Sequence, residues 1–192
     1  MQAPFRHAVK EDAPLLAALV NHAGEGLPLY LWGKLAGPGE SAFDVGIRRA
    51  AREEGSFSNR NAMVIEQQGQ AAGCLIGYEI PDEPAPISSD MPAMFVPLQE
   101  LENLAPATWY VNVLAVLPQY RRQGLGTSLL ALADETGRAL GKGGMSVIVS
   151  DANVEARRLY ERCGYRAVAA RPMVKEGWVN AGVNWVLLTK NL

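Results

Sequence analysis

The sequence predicts an α/β (α+β) chain, a mixed sheet of about seven strands flanked by helices, in the order β-α-α-β-β-β-α-β-α-β-β. Three features carry that prediction. Short apolar runs of strand composition alternate with stretches of helical period. Ala62–Glu66 and Ala72–Ile80 flank the turn Gln67-Gln68-Gly69-Gln70, the grammar of an antiparallel hairpin. The run from Thr108 to Leu117 is strand-like, stops at Pro118, and gives way through a glycine-bearing turn to helical sequence from Gly124 to Leu140.

Phe5 to Val9 alternates as a short first strand. Asp12 followed by Pro14 marks a helix start, with Leu15, Leu16, Leu19 and Val20 on one face and Gly24 and Gly26 at its end. Residues 27–55 hold two further helical pieces, Pro28–Leu35 and Asp44–Glu54, interrupted by Gly37-Pro38-Gly39; this lobe suits a lid or one wall of a pocket. After the hairpin a proline-rich stretch runs from Pro81 to Pro97, and Leu98–Leu104 suits a short helix. Met145–Val149 is a short apolar strand. Asn153 opens a helix through Arg162 that Gly164 closes, and strands follow at about Tyr165–Val174 and Gly182–Thr189.

A length of 192 residues fits one domain spanning 1–192, and 48% hydrophobic against 20% charged residues is globular composition. The net charge of −2 supplies no field for a polyanion, so nucleic acid is not an expected partner. Cys74 and Cys163 lie far apart without CxxC spacing and read as core thiols. With only His7 and His22 beside them they offer neither a metal set nor a nucleophile triad. No run approaches the ~20 apolar residues that cross a bilayer, and Met1–His7 has no signal-peptide character. A cytoplasmic protein without a membrane partner is expected.

The strand ending near Pro118 feeds a turn that opens a helix, which gathers unpaired backbone N–H groups at the positive end of the helix dipole. Gly124 and Gly126 remove side chains that would keep a phosphate from the backbone, and Arg121 and Arg122 add charge, so the turn suits a pyrophosphate. The third glycine of a dinucleotide fingerprint and the G-K-[ST] of a P-loop are both missing, which disfavours NAD and ATP.

Val116-Leu117-Pro118-Gln119-Tyr120-Arg121-Arg122-Gln123-Gly124-Leu125-Gly126-Thr127 closely resembles the acetyl-CoA signature of the GNAT N-acetyltransferases, R/Q-x-x-G-x-G/A after a strand ending in V-x-P. Asn153 through Tyr165 resembles the second signature of that family, in which Asn opens a helix, Tyr follows seven residues later, and G-F or G-Y ends it. Seven residues is nearly two turns, so Asn153 and Tyr160 share a helix face. The resemblance implies a mostly antiparallel, strongly twisted sheet with a V-shaped splay between the fourth and fifth strands. Pantetheine would enter that splay, and residues 107–165 would form the cofactor-binding core.

Further implications concern chemistry. The cosubstrate would be acetyl-CoA, leaving as coenzyme A, bound by the main chain of Leu114, Ala115 and Val116, by Arg121 through Thr127, and by Asn153 and Tyr160. A primary amine, on a small molecule or a peptide, would attack the thioester directly in a ternary complex, with Tyr160 as general acid to the thiolate. Relatives often carry a carboxylate on the strand before the phosphate loop; Tyr110 and Asn112 stand there instead. Glu79 is the expected base, followed by Asp82 and Glu83. Candidate acceptor contacts are Tyr30 and Trp32 in the 27–55 lobe, the loop from Asp90 to Phe95, and Trp178 with Asn180. Members of the family often dimerise, so a homodimer is compatible with the resemblance. The missing carboxylate motivates a competing reading, a non-catalytic acyl-CoA-binding or sensing module of the same fold.

Overall fold

In the computed structural model, which describes residues 5–192, the strands are β1 (Phe5–His7), β2 (Ala62–Gln67), β3 (Gln70–Glu79), β4 (Thr108–Val116), β5 (Gly144–Ser150), β6 (Arg166–Pro172) and β7 (Asn184–Asn191). The helices are α1 (Ala13–Ala23), α2 (Leu27–Leu35), α3 (Ala42–Ala50), α4 (Val96–Glu102), α5 (Leu125–Ala139) and α6 (Val154–Arg162). The strands form one open mixed sheet, hydrogen-bonded in the order β1-β2-β3-β4-β5-β7-β6. The chain packs as two compact units, residues up to Gly77 with Val113–Leu129, and Tyr78–Asn112 with Leu130–Leu192. Among the described residues no helix is long and apolar enough to cross a membrane.

In the first unit β1, β2 and β3 are antiparallel neighbours. The hairpin turn has left-handed φ at both Gln68 (52°) and Gly69 (73°), the twist-matched turn that a Gln-Gly pair accommodates. Leu16, Leu19 and Val20 of α1, Trp32 of α2 and Val45 of α3 share a core with Val64, Cys74, Ile76, Val113 and Ala115. Ser41 starts α3 with a capping box: its Oγ accepts from the Asp44 N–H at 3.1 Å, and the Asp44 carboxylate accepts from the Ser41 N–H at 3.0 Å. This helix ends at Ala50, short of the expected Glu54, because Arg52, Glu53 and Glu54 are exposed and bury no face against the core.

Asp12 precedes α1, yet its carboxylate serves a different end. It takes both terminal nitrogens of Arg6, at 2.6 and 2.9 Å, and the Val9 N–H at 2.8 Å, while Arg6 Nε donates to Glu66 at 2.6 Å. The Arg6 guanidinium, assisted by that N–H, holds the Asp12 carboxyl below its ordinary value against the opposing effect of burial. A carboxyl depressed by folding stabilises the fold fully above its unfolded value and loses that contribution as pH falls through the folded value. Asp12→Asn is therefore expected to lower stability at pH 7 by about 1 kcal/mol and to flatten its fall on acidification. Urea midpoints measured from pH 7 down to 3 check this, and an unchanged slope would refute it.

In the second unit β5 pairs antiparallel with β7, and β7 with β6. The parallel ladder between β4 and β5 is short. It spans Thr108↔Gly144, Trp109↔Met145 and Tyr110↔Ser146 and stops there, although β4 runs on to Val116 and β5 to Ser150. The helix after the proline-rich stretch, α4, begins two residues before the expected Leu98 because Pro97 fits its first turn, and it packs on β5, β6 and β7.

Candidate active site

The turn between β4 and α5 is built for an anion. Gly124 (φ 83°) and Arg122 (φ 60°) both adopt left-handed backbone, and residues 121–124 of the loop are exposed. Among the described residues, no protein acceptor takes a backbone N–H from Arg122 through Thr127; the first loop amide beyond them that is bonded, Ser128, donates to Gly124 O at 3.0 Å. A Cβ on Gly124 would meet open space, so the strand-to-helix crossing needs glycine there for its φ and not for room inside the protein. Leu125 is buried and anchors the helix beneath the loop, while Thr127 is exposed in its first turn.

The two arginines divide their duties. Arg121 Nε donates to Val116 O at 3.2 Å and its Nη2 meets His22 Nε2 at the end of α1. Burial, and then the Arg121 charge, lower the His22 pKa, so the imidazole is neutral at pH 7 and accepts from the guanidinium. Gln123 is tied down from the other side, accepting from Gln67 Nε2 at 2.9 Å. Arg122 makes no hydrogen bond or ion pair among the described residues, which leaves it as the loop's available cation. The Val116 carbonyl, expected to meet a cosubstrate, thus already accepts from Arg121.

In the second unit Asn153 caps α6, its Oδ1 accepting from the Ala156 N–H at 3.2 Å, and its amide nitrogen has no protein acceptor among the described residues. Tyr160, two turns on, is buried against Tyr165 with ring centroids 5.7 Å apart. Its hydroxyl makes no hydrogen bond among the described residues, and burial raises its pKa, which keeps the phenol protonated. Tyr110, at the last rung of the β4–β5 ladder, is likewise raised by burial; the Ile148 N–H points at its hydroxyl.

A sequence profile of the Acetyltransferase (GNAT) family matches residues 36–165. The chain belongs to the GNAT acetyltransferase family. No curated protein matches the sequence. Among solved structures, the fold is shared with an acetyltransferase at 22% identity and TM-score 0.66, over 98% of this chain and 99% of that one. It is shared with an N-acetyltransferase from Staphylococcus aureus Mu50 at 18% and 0.65, over 97% and 100%. A GNAT family acetyltransferase from Elizabethkingia anophelis with acetyl-CoA bound aligns at 17% and 0.51, over 68% and 75%.

Several side chains of this acetyltransferase stand elsewhere than their sequence context implies. Glu79 is bound by Lys142 Nζ at 2.9 Å and lies near the start of β4, where Ile80 N donates to Thr108 O, one residue from Tyr78 and so one residue from the rung at which the β4–β5 ladder ends. A carboxylate held there by a lysine is a poor base for chemistry at the open end. Asp82 and Glu83 are exposed loop residues. Trp32 is 4% exposed and stacks on Phe57, centroids 5.8 Å apart, so it is core and not an acceptor contact. Trp178 stacks on Trp185, and Asn180 shapes its own turn by accepting from the Gly182 N–H. Tyr30 keeps a half-buried ring beneath the Lys34 ammonium, 4.4 Å from the centroid. In the Asp90–Phe95 loop Met94 is buried.

Sequence reasoning missed Glu102. It closes α4, accepts from the Tyr78 hydroxyl at 3.1 Å, and is raised by burial, an effect that the Tyr78 hydrogen bond only partly offsets. The one sequence signal was a glutamate at the apolar end of a short helix. Nothing local tied it to Tyr78, 24 residues away.

Proposed function

We propose that this chain transfers the acetyl group of acetyl-CoA to a primary amine by direct attack in a ternary complex, acting as one acyltransferase domain over residues 1–192. The observation that carries the reading is the row of six amides from Arg122 to Thr127 that have no protein acceptor among the described residues, beside an Arg122 guanidinium likewise unpaired among them. A diphosphate satisfies those amides and is favoured by the helix dipole. Acetyl-CoA brings the diphosphate together with the thioester that supplies the acyl group.

The residues of the chain then divide the work. Arg122, Gly124, Leu125, Gly126 and Thr127 hold the diphosphate, Arg121 and Gln123 keep the loop in shape, and the Asn153 amide nitrogen is free to donate to a pantetheine carbonyl. The main chain of Leu114 and Ala115 supplies further polar contacts. Tyr160 gives its proton to the departing sulfur: a phenol that is protonated at pH 7 and makes no hydrogen bond among the described residues has a proton to offer. Cys74 does not serve as a nucleophile, since burial raises its thiol to about 12. The acceptor is a small-molecule or peptide amine.

Tyr160→Phe tests the reading. It is expected to lower kcat by about a hundredfold with little change in acetyl-CoA affinity, because the ring that packs on Tyr165 is kept and only the acid is lost. Acetyl-CoA at 100 times its Kd should stabilise both forms by about 2.7 kcal/mol. Thermal melts with acetyl-CoA and thiol-release assays over an amine panel measure both quantities. Absence of any melt shift would overturn the reading, and a shift with no turnover would leave only an acyl-CoA-binding module.

A further inference from the structure

The β4 strand carries no carboxylate, and Glu79 is committed to Lys142. The second unit nevertheless holds a half-buried carboxyl, Glu102, with no ion pair among the described residues. Arg171 binds Glu100 at 2.6 Å, Lys142 binds Glu79, and Lys190 binds Asp134, while the only described polar partner of Glu102 is the Tyr78 hydroxyl. A half-buried carboxyl without a cation is an expensive arrangement, and such groups concentrate where a proton must be moved. Its surroundings include phenols from two strands: Tyr78 of β3, whose hydroxyl donates to Oε1, and Tyr110 of β4, whose ring lies 5.1 Å from that of Tyr78.

The location fits the need. The bond from Ile80 N to Thr108 O sets β3 against β4 so that Tyr78 stands opposite Tyr110. Tyr110 is the last residue of β4 to pair with β5. The Glu102–Tyr78 pair therefore sits beside the rung where the two parallel strands stop bonding. The other oxygen of Glu102, Oε2, has no partner among the described residues.

Resting on the acetyl-transfer reading, the geometry points to Glu102 as the terminal acceptor of the proton that the amine must lose, reached through the Tyr78 hydroxyl. In that step an ammonium N–H bond breaks as Tyr78 Oη takes the proton, and the former Tyr78 O–H bond breaks as Glu102 Oε1 takes that one. The ammonium becomes a neutral amine and the carboxylate a carboxylic acid. The nitrogen lone pair then forms the new C–N bond, the C–S bond breaks, the sulfur takes its proton from Tyr160, and the remaining extra proton on nitrogen restores Tyr160. Glu102 returns its proton to solvent. Tyr78 is the group that touches the amine; Glu102 acts through it.

The test is the pH dependence of kcat/KM between pH 5 and 9 for Glu102→Gln, Glu102→Asp and Tyr78→Phe. The substrates are acetyl-CoA and whichever amine turns over fastest among spermidine, free lysine and a peptide with a free N-terminus. Glu102→Gln is expected to lose about a hundredfold at pH 7, with the deficit shrinking toward alkaline pH, where solvent has already removed the amine's proton. Tyr78→Phe should show the same shape, Glu102→Asp should recover part of the rate, and acetyl-CoA affinity should stay at the wild-type value in all three. A Glu102→Gln profile like that of the wild type overturns the inference, as does a loss equal at every pH with no recovery in Glu102→Asp, which would mark a packing role. Wild-type protein that binds acetyl-CoA yet acetylates none of these amines would overturn the acetyl-transfer reading and this inference with it, a result distinct from a change confined to the variants.

Discussion

Gly124→Ala is expected to weaken acetyl-CoA binding by about a hundredfold, while Gly141→Ala, a change with the same backbone penalty, leaves it untouched. Both glycines have left-handed φ, 83° and 70°, and at both a Cβ would meet nothing within 4 Å. Each substitution therefore carries only the strain of an L-residue in left-handed backbone, about 1–2 kcal/mol. The sites differ in what lies outside. The open space at Gly124 is bordered by amides that have no protein acceptor, whereas Gly141 ends α5 with its own N–H bonded to Arg138 O. A methyl group at Gly124 holds an anion away from the amides it needs. A hundredfold loss is about 2.7 kcal/mol, the worth of one to two charge-assisted hydrogen bonds. Calorimetric titration of acetyl-CoA into both variants, with urea midpoints to equate their strain, measures the difference; equal affinities would mean that the loop is not the diphosphate cradle.

The parts legible in the sequence are those set by local backbone chemistry. The hairpin at Gln68-Gly69, the glycine loop at Gly124, the Asn153 cap and the Gly164 stop (φ 92°) are each written within a few residues of where they act. So is the family, because both signatures lie in such segments. The base was not legible, because proximity across a sheet is not a local property. Glu79 lies on a strand and reads as a candidate, but the register of β3 on β4 carries it near the start of β4 and into the reach of Lys142. Glu102 belongs to a seven-residue helix after a proline-rich stretch, and only the docking of that helix brings it to Tyr78.

The burial of Trp32 was hidden for a related reason, because its neighbours come from beyond its own helix. Trp32→Ala is expected to destabilise the protein by about 3–5 kcal/mol, the usual result of deleting a buried indole. The ring is 4% exposed, stacks on Phe57 at an interplanar angle of 16°, and lies so close to Gly46 of α3 that a Cβ there would fall 2.4 Å from Cζ3. The sequence offers Trp32 as a candidate acceptor contact in the 27–55 lobe; the packing shows a glycine of α3 kept small to admit the ring. Gly46→Ala thus has two opposing effects, a gain of about 1 kcal/mol in helix propensity and an overpacking cost of about 1–3 kcal/mol, and the clash should prevail. In a Trp32→Ala background the clash is gone, so the same Gly46→Ala change should become neutral or stabilising. The coupling between the two substitutions, measured by urea denaturation of both single variants and the double variant, should exceed about 1 kcal/mol. Additive effects would mean that α2 and α3 do not meet at this pair, and that the ring of Trp32 is free to face an acceptor after all.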